Sequence, residues 1–149
     1  MRKNFFVGII CAGFCIGGTR YFCRRKPDRY FYWYKTLYQW LLIRQDKVEI
    51  ADYFKENGYQ RVAIYGMGEL GRLLLKELRD TGIEIPYVID QNARSISVSG
   101  IKAVMLKDAK EDVDVIVVSV VDKFEVIKAD IERNMSVPIL SLDDVLFSL

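Results

Sequence analysis

Residues 61 to 71 run Arg61-Val62-Ala63-Ile64-Tyr65-Gly66-Met67-Gly68-Glu69-Leu70-Gly71. The apolar, partly β-branched run up to Tyr65 predicts a buried strand of a parallel sheet. Three glycines follow at the spacing Gly66-x-Gly68-x-x-Gly71. Leu70, Leu73, Leu74 and Leu78 then recur at the period of an amphipathic helix, which Gly82 would stop as a C′ residue. Strand, glycine turn and helix in this order have a specific physical use. Gly66 permits the tight turn, Gly68 keeps a Cβ out of the way of a pyrophosphate, and Gly71 lets the helix pack close to the strand. The free N–H groups of the first helical turn and the helix dipole favour an anion there. Glu69 works against this, because a carboxylate in that turn satisfies the dipole itself and repels a phosphate.

Further along, Ile85-Pro86-Tyr87-Val88-Ile89-Asp90 predicts a second strand with an acid at its carboxyl end. Asp90 lies 24 residues after Gly66, near the roughly 20 expected of an acid that hydrogen-bonds a ribose 2′-hydroxyl. Such an acid favours NAD over NADP, while Arg94 nearby pulls the other way. Ala103-Val104-Met105 makes a third strand, residues 113 to 121 a strongly β-branched fourth, and Val137-Pro138-Ile139-Leu140 a fifth. Residues 123 to 134 read as a helix with Phe124, Ile127 and Ile131 on one stripe, and Ser141 or Asp143 opens a closing helix. Right-handed crossovers arrange these strands in the order 3-2-1-4-5, an α/β Rossmann-type parallel sheet with an N-terminal helical extension.

Ligands of such sheets bind outside the carboxyl ends of the strands, where the strand order reverses. The candidate site therefore takes Gly66, Met67, Gly68, Glu69, Leu70 and Gly71 from the first turn. Asp90, Gln91 and Asn92 come from the end of the second strand, and Ser119 and Val120 from the end of the fourth.

Composition narrows the chemistry. The chain has no histidine, which removes the commonest general base and metal ligand, so metal hydrolases and histidine-dependent triads are set aside and no metal is expected. Asp112-Val113-Asp114 matches the metal-binding acid pair of many glycosyltransferases, but at the start of a buried strand it reads as a solvated loop. No tyrosine is followed by lysine at the Tyr-x-x-x-Lys spacing that short-chain dehydrogenases use for proton transfer. Residues 61 to 149 carry 11 Lys/Arg against 15 Asp/Glu, a balance of −4, which argues against nucleic acid. Residues 1 to 60 carry 11 against 5, a balance of +6.

That basic head (residues 1 to 27) contains an apolar run from Phe5 to Thr19, flanked by Arg2-Lys3 and by Arg20, Arg24, Arg25 and Lys26. It is expected to anchor the chain in a membrane, with residues 24 onward on the cytoplasmic side. A cleaved signal peptide, with Cys15-Ile16-Gly17 as a small-x-small site, is the competing expectation, as is a hydrophobic tail packed on the domain. Gly13 and Gly17 form a small-xxx-small pair that could serve a homodimer. All three cysteines fall before residue 24, so no disulfide framework is expected in the folded part. Residues 28 to 60 form an aromatic-rich helical extension. Tyr30, Trp33, Tyr34, Leu37, Tyr38, Leu41 and Leu42 mark a first helix, read as packing surface. Ile50, Tyr53 and Phe54 mark a second, shorter one that stops at Gly58.

With these motifs, residues 30 to 149 resemble the Rossmann-like domains of bacterial polysaccharide biosynthesis. These include the nucleotide-sugar-binding domains of sugar acyltransferases and the CoA-binding-type domains of sugar-nucleotide dehydratases. Small proteins of capsule clusters share segments like Asp52-Tyr53-Phe54-Lys55-Glu56-Asn57-Gly58-Tyr59, Ala63-Ile64-Tyr65-Gly66-Met67-Gly68 and Pro138-Ile139-Leu140-Ser141-Leu142-Asp143-Asp144-Val145-Leu146. The resemblance implies a nucleotide or nucleotide-sugar ligand such as a UDP-sugar, and a polysaccharide-biosynthesis partner. The expected function is a non-catalytic module binding NAD or a nucleotide-sugar. Its rivals are a nucleotide sensor for a membrane transporter or channel, and a reduced enzyme dependent on NAD or S-adenosylmethionine.

Overall fold

The computed structural model describes residues 29–98 and 100–149. The expected membrane anchor, the cleavage site and the Gly13/Gly17 pair all lie outside them. Five parallel strands form one sheet in the order β3-β2-β1-β4-β5: β1 Val62–Tyr65, β2 Tyr87–Ile89, β3 Lys102–Val104, β4 Val115–Val118 and β5 Ile139–Ser141. The central strands β1 and β4 pair in register from Val62 with Val115 to Tyr65 with Val118, and every residue of both is buried. Burial on both faces is why these strands read as continuous apolar runs.

Alternation along the strands sorts the core into two layers. Val62, Ile64, Val88, Val115 and Val117 face one side, under α3 (Glu69–Leu78) and α5 (Leu142–Phe147). Ala63, Tyr65, Ile89, Ile116 and Val118 face the other, under α4 (Phe124–Glu132), which contributes Ile127 and Ile131.

The first layer holds two further helices, α1 (Arg29–Gln45) and α2 (Ile50–Glu56). Trp40, Ile43, Ile50 and Phe54 are buried in it. Each such side chain contributes about 1.5–3 kcal/mol relative to exposure, so α1 is an integral part of the core. Thr36 is fully buried on α1, its hydroxyl between the Tyr32 carbonyl and the Asp143 carboxylate of α5. Gln39 Nε2 donates to the Leu146 carbonyl at 3.2 Å. The outer side of α1 leaves Tyr30, Tyr34, Leu37, Tyr38 and Leu41 exposed. Among the described residues no helix is long and apolar enough to cross a membrane.

Two local expectations are corrected. Helix α3 ends at Leu78, short of Gly82: Arg79 is already extended with ψ 137°, and Asp80 follows in a left-handed conformation with φ 64°. Its inward stripe is Leu70, Leu74, Leu75 and Leu78, and Leu73 is exposed. Ser141 is the N-cap of α5, its side chain accepting from the Asp143 N–H.

Candidate functional site

The carboxyl ends of β1, β2 and β4 converge on the glycine turn. Gly66 N–H donates to the Ile89 carbonyl at 2.8 Å, and Ser119 N–H donates to the Tyr65 carbonyl at 2.9 Å. Gly66 has φ +92°, and a Cβ there would lie 2.5 Å from Val120 Cγ2. At Gly71 a Cβ would lie 1.9 Å from the Gly66 carbonyl oxygen, so only glycine allows α3 to start this close to the strand end. Gly68 differs from both. It is exposed, its φ is an ordinary −70°, and nothing lies within 4 Å of a Cβ placed there. Nothing in the packing of the chain requires glycine at this position.

Gly68 is the N-cap of α3 and makes no side-chain capping bond. The N–H groups of a helix's first turn have no intrahelical partner, and here no cap residue supplies one. Glu69 is exposed beside them.

Asp90 is half-buried, and both of its oxygens accept from backbone: Oδ2 from Met67 N–H at 2.8 Å and Oδ1 from Asn92 N–H at 2.8 Å. The acid thus clamps the end of β2 to the glycine turn. Carboxylate oxygens have about two acceptor sites each, so one on each oxygen stays available to a ribose hydroxyl. Gln91 and Asn92 are exposed beyond it. Burial raises the pKa of the Tyr65 phenol, an effect the side chain of Gln91 only partly offsets.

Ser119 is buried, and its hydroxyl donates to the Gly66 carbonyl at 2.7 Å. It braces the turn from beneath. Met67 and Leu70 turn their side chains into the core and take part in the turn through backbone. The expected residues are therefore brought together, but by unequal means: Gly68, Glu69 and Val120 face the crevice, while Asp90, Ser119 and Gly71 build it.

Two cavities matter here, the first bordering the turn and the second at the β3 edge of the sheet. One, of about 210 Å³, lies on the β4 side and is lined by Gly68, Glu69, Leu70, Ser119, Val120, Asp122 and Lys123, together with Arg29 and Trp33 of α1. The other, of about 390 Å³, lies between the loop after β2 and the length of β3 with the loop that follows it, and is lined by Arg94, by Lys102 at the start of β3, and by Lys107 and Asp108. Sequence reasoning missed Trp33, Arg29, Lys102 and Lys107, because no local pattern tells which side of α1 or which edge of the sheet meets the crevice. Arg94 was visible from its closeness to Asp90.

The acid pair around Val113 lies at the other end of the sheet. Asp114 Oδ2 accepts the N–H groups of Gln60 at 2.8 Å and Arg61 at 2.7 Å, bonds that hold its carboxyl below the usual range. Asp112 pairs with Arg61 at 3.4 Å. These acids fasten the start of β1 to the start of β4. Among the described residues no group of three or more acids and cysteines could hold a metal ion.

Residues 58–142, more than half of the chain, match the family model described as "Acetohydroxy acid isomeroreductase, NADPH-binding domain". The chain belongs to this family. No curated protein and no solved structure matches it. The family membership and the sheet order together make this a Rossmann-type domain for a nucleotide of the NAD(P) class. The matched span of the NADPH-binding domain starts at Gly58, so it takes in the glycine turn, Asp90, Arg94 and the end of β4. It leaves out α1 and α2.

Proposed function

We propose that the domain holds an NADPH-type dinucleotide across the glycine turn, with the pyrophosphate on the first turn of α3. Gly68 carries this reading. It is a glycine that neither backbone conformation nor packing explains, set in front of uncapped N–H groups where a phosphate would need the space. The adenosine half goes to the β2 side. There Asp90 offers its remaining lone pairs to a ribose hydroxyl, and Arg94, Lys102 and Lys107 offer charge to a 2′-phosphate. That grouping favours NADPH over NADH, against the preference for NAD that Asp90 alone suggests.

The module binds rather than reacts. The one hydroxyl lining the cavity beside β4, Ser119, commits its proton to the Gly66 carbonyl, and hydride chemistry belongs to the cofactor. An accessory place in polysaccharide assembly is the setting the capsule-protein resemblance suggests. A station at the cytoplasmic face of a membrane is supported by Arg24, Arg25 and Lys26 and by the exposed Tyr30, Tyr34 and Tyr38 of α1.

The test is thermal melting of the full chain with NADPH, NADH, a UDP-sugar, coenzyme A and S-adenosylmethionine in separate samples. A ligand at 100 times its dissociation constant stabilises by about 2.7 kcal/mol, several degrees for a domain of this size. The expected result is a shift with NADPH larger than with NADH. A shift with the UDP-sugar alone would replace the dinucleotide with a nucleotide-sugar, and no shift with any of them would overturn the reading.

A further inference from the structure

The dinucleotide reading leaves the β4 side of the turn without an assigned partner for the second nucleoside. A ligand laid across the crevice puts one nucleoside on each side of the glycine turn. The β4 cavity, at about 210 Å³, is below the roughly 300–1,000 Å³ of whole-ligand pockets, so it suits one half of a dinucleotide. Its wall is completed by α1, which packs against the turn at Val121–Lys123 and belongs to no part of the matched family span. We propose that Trp33 and Arg29 of α1 bind the second half of the dinucleotide, Trp33 against its ring and Arg29, with Lys123, against the adjoining phosphate. This inference rests on the dinucleotide reading of the same site.

Three observations meet here. Trp33 is the one aromatic side chain lining this cavity, and it is half-buried, so its position is held by the core while part of its surface stays open. Arg29 lies with its guanidinium 5.0 Å from the centre of the Trp33 ring, so ring and cation stand together as one unit at the cavity wall. Lys123 supplies a second cation in the same lining. Glu69 and Asp122 line the same cavity, so its charges balance. A half-ligand with one phosphate and a flat polar ring fits that balance better than a second phosphate would. An indole face is a stacking surface for such a ring, and a guanidinium beside it adds a charge-assisted contact. Helix α1 is thereby a binding element as well as part of the core.

The experiment compares NADPH with adenosine 2′,5′-bisphosphate, which keeps the adenosine half and lacks the second nucleoside. Dissociation constants are measured by calorimetry for the full chain and for Trp33→Ala, Trp33→Phe and Arg29→Ala. The expected result is NADPH binding about tenfold weaker in Trp33→Ala, partly restored in Trp33→Phe, with adenosine 2′,5′-bisphosphate unchanged in all. Arg29 is exposed, so its substitution leaves the fold intact and should weaken NADPH alone by about threefold to tenfold. If every variant binds NADPH as tightly as the original chain, or loses both ligands equally, the role of α1 is overturned while the dinucleotide reading stands. If the original chain binds neither ligand, both fall together.

Discussion

The cavity beside the glycine turn and the cavity at the β3 edge of the sheet are built from different material. The one beside β2 and β3 is larger, about 390 Å³, and gathers Arg94, Lys102 and Lys107 against the single carboxylate of Asp108. The one beside β4 is about 210 Å³, has an indole in its wall, and sets Arg29 and Lys123 against Glu69 and Asp122. A surplus of cations suits a phosphate, whereas an aromatic wall with balanced charge suits a ring. On the proposed reading, each end of an asymmetric dinucleotide would find its own chemistry. The difference also separates residues that build the crevice from residues that face it, and substitutions tell the two apart.

The largest effect is expected at Gly71. Valine there would drive a Cβ to within 1.9 Å of the Gly66 carbonyl, against backbone that cannot yield without moving the strand end. The turn and the cavity beside it should be lost, at about 3 kcal/mol or more, read as a lowered urea midpoint or loss of the cooperative transition. Gly68→Val sharpens the contrast. With open space around it and an ordinary φ, it should change stability by about 1 kcal/mol or less while removing the melting shift produced by NADPH. A Gly68→Val variant that still binds NADPH would show that the pyrophosphate lies elsewhere.

Arg94→Ala addresses only the β2 side. Loss of one charge-assisted bond to a 2′-phosphate should weaken NADPH about tenfold and leave NADH nearly unchanged in parallel titrations. Equal losses for both would mean that Arg94 serves the loop and not the ligand.

The smallest effect concerns how α1 is held in place. Burial raises the pKa of the Asp143 carboxyl above 3.8, and the Thr36 hydrogen bond only partly offsets this. A carboxyl with a raised folded-state pKa favours the fold most in acid, and that contribution is lost as pH rises through the folded value. Asp143→Asn keeps an acceptor for Thr36 without the charge. Its urea midpoint should therefore gain on that of the original chain as pH climbs above about 3.8. A parallel pH course for the two proteins would contradict this.

Much of the architecture was legible because its causes are local. β-Branched runs buried on both faces, a glycine spacing with a steric meaning and a helical apolar period each leave a mark within about ten residues. The right-handed crossover rule then carried those marks to the order 3-2-1-4-5 without any long-range information. Errors were of short range too. The chain turns at Arg79 and Asp80, ahead of Gly82, and Leu75 packs inward where the helical period points to Leu73.

By itself the sequence determined the strand–turn–helix unit, the need for glycine at 66 and 71, and the acid at the end of β2. The unit follows from periodicity, the glycines from the left-handed φ at Gly66 and the nearness of its carbonyl to Gly71, and the acid from its spacing to the turn. Only the tertiary structure decided what those residues do. It turned Asp90 toward Met67 and Asn92 and folded Ser119 under Gly66. It also brought Lys102 and Lys107 to Arg94, and it rotated α1 so that Trp33 meets the crevice while Tyr34 and Tyr38 stay outside. An aromatic side chain on a helix has the same local pattern whether it packs, stacks or faces solvent. The choice is made by the surface that arrives opposite it, and that surface comes from elsewhere in the chain.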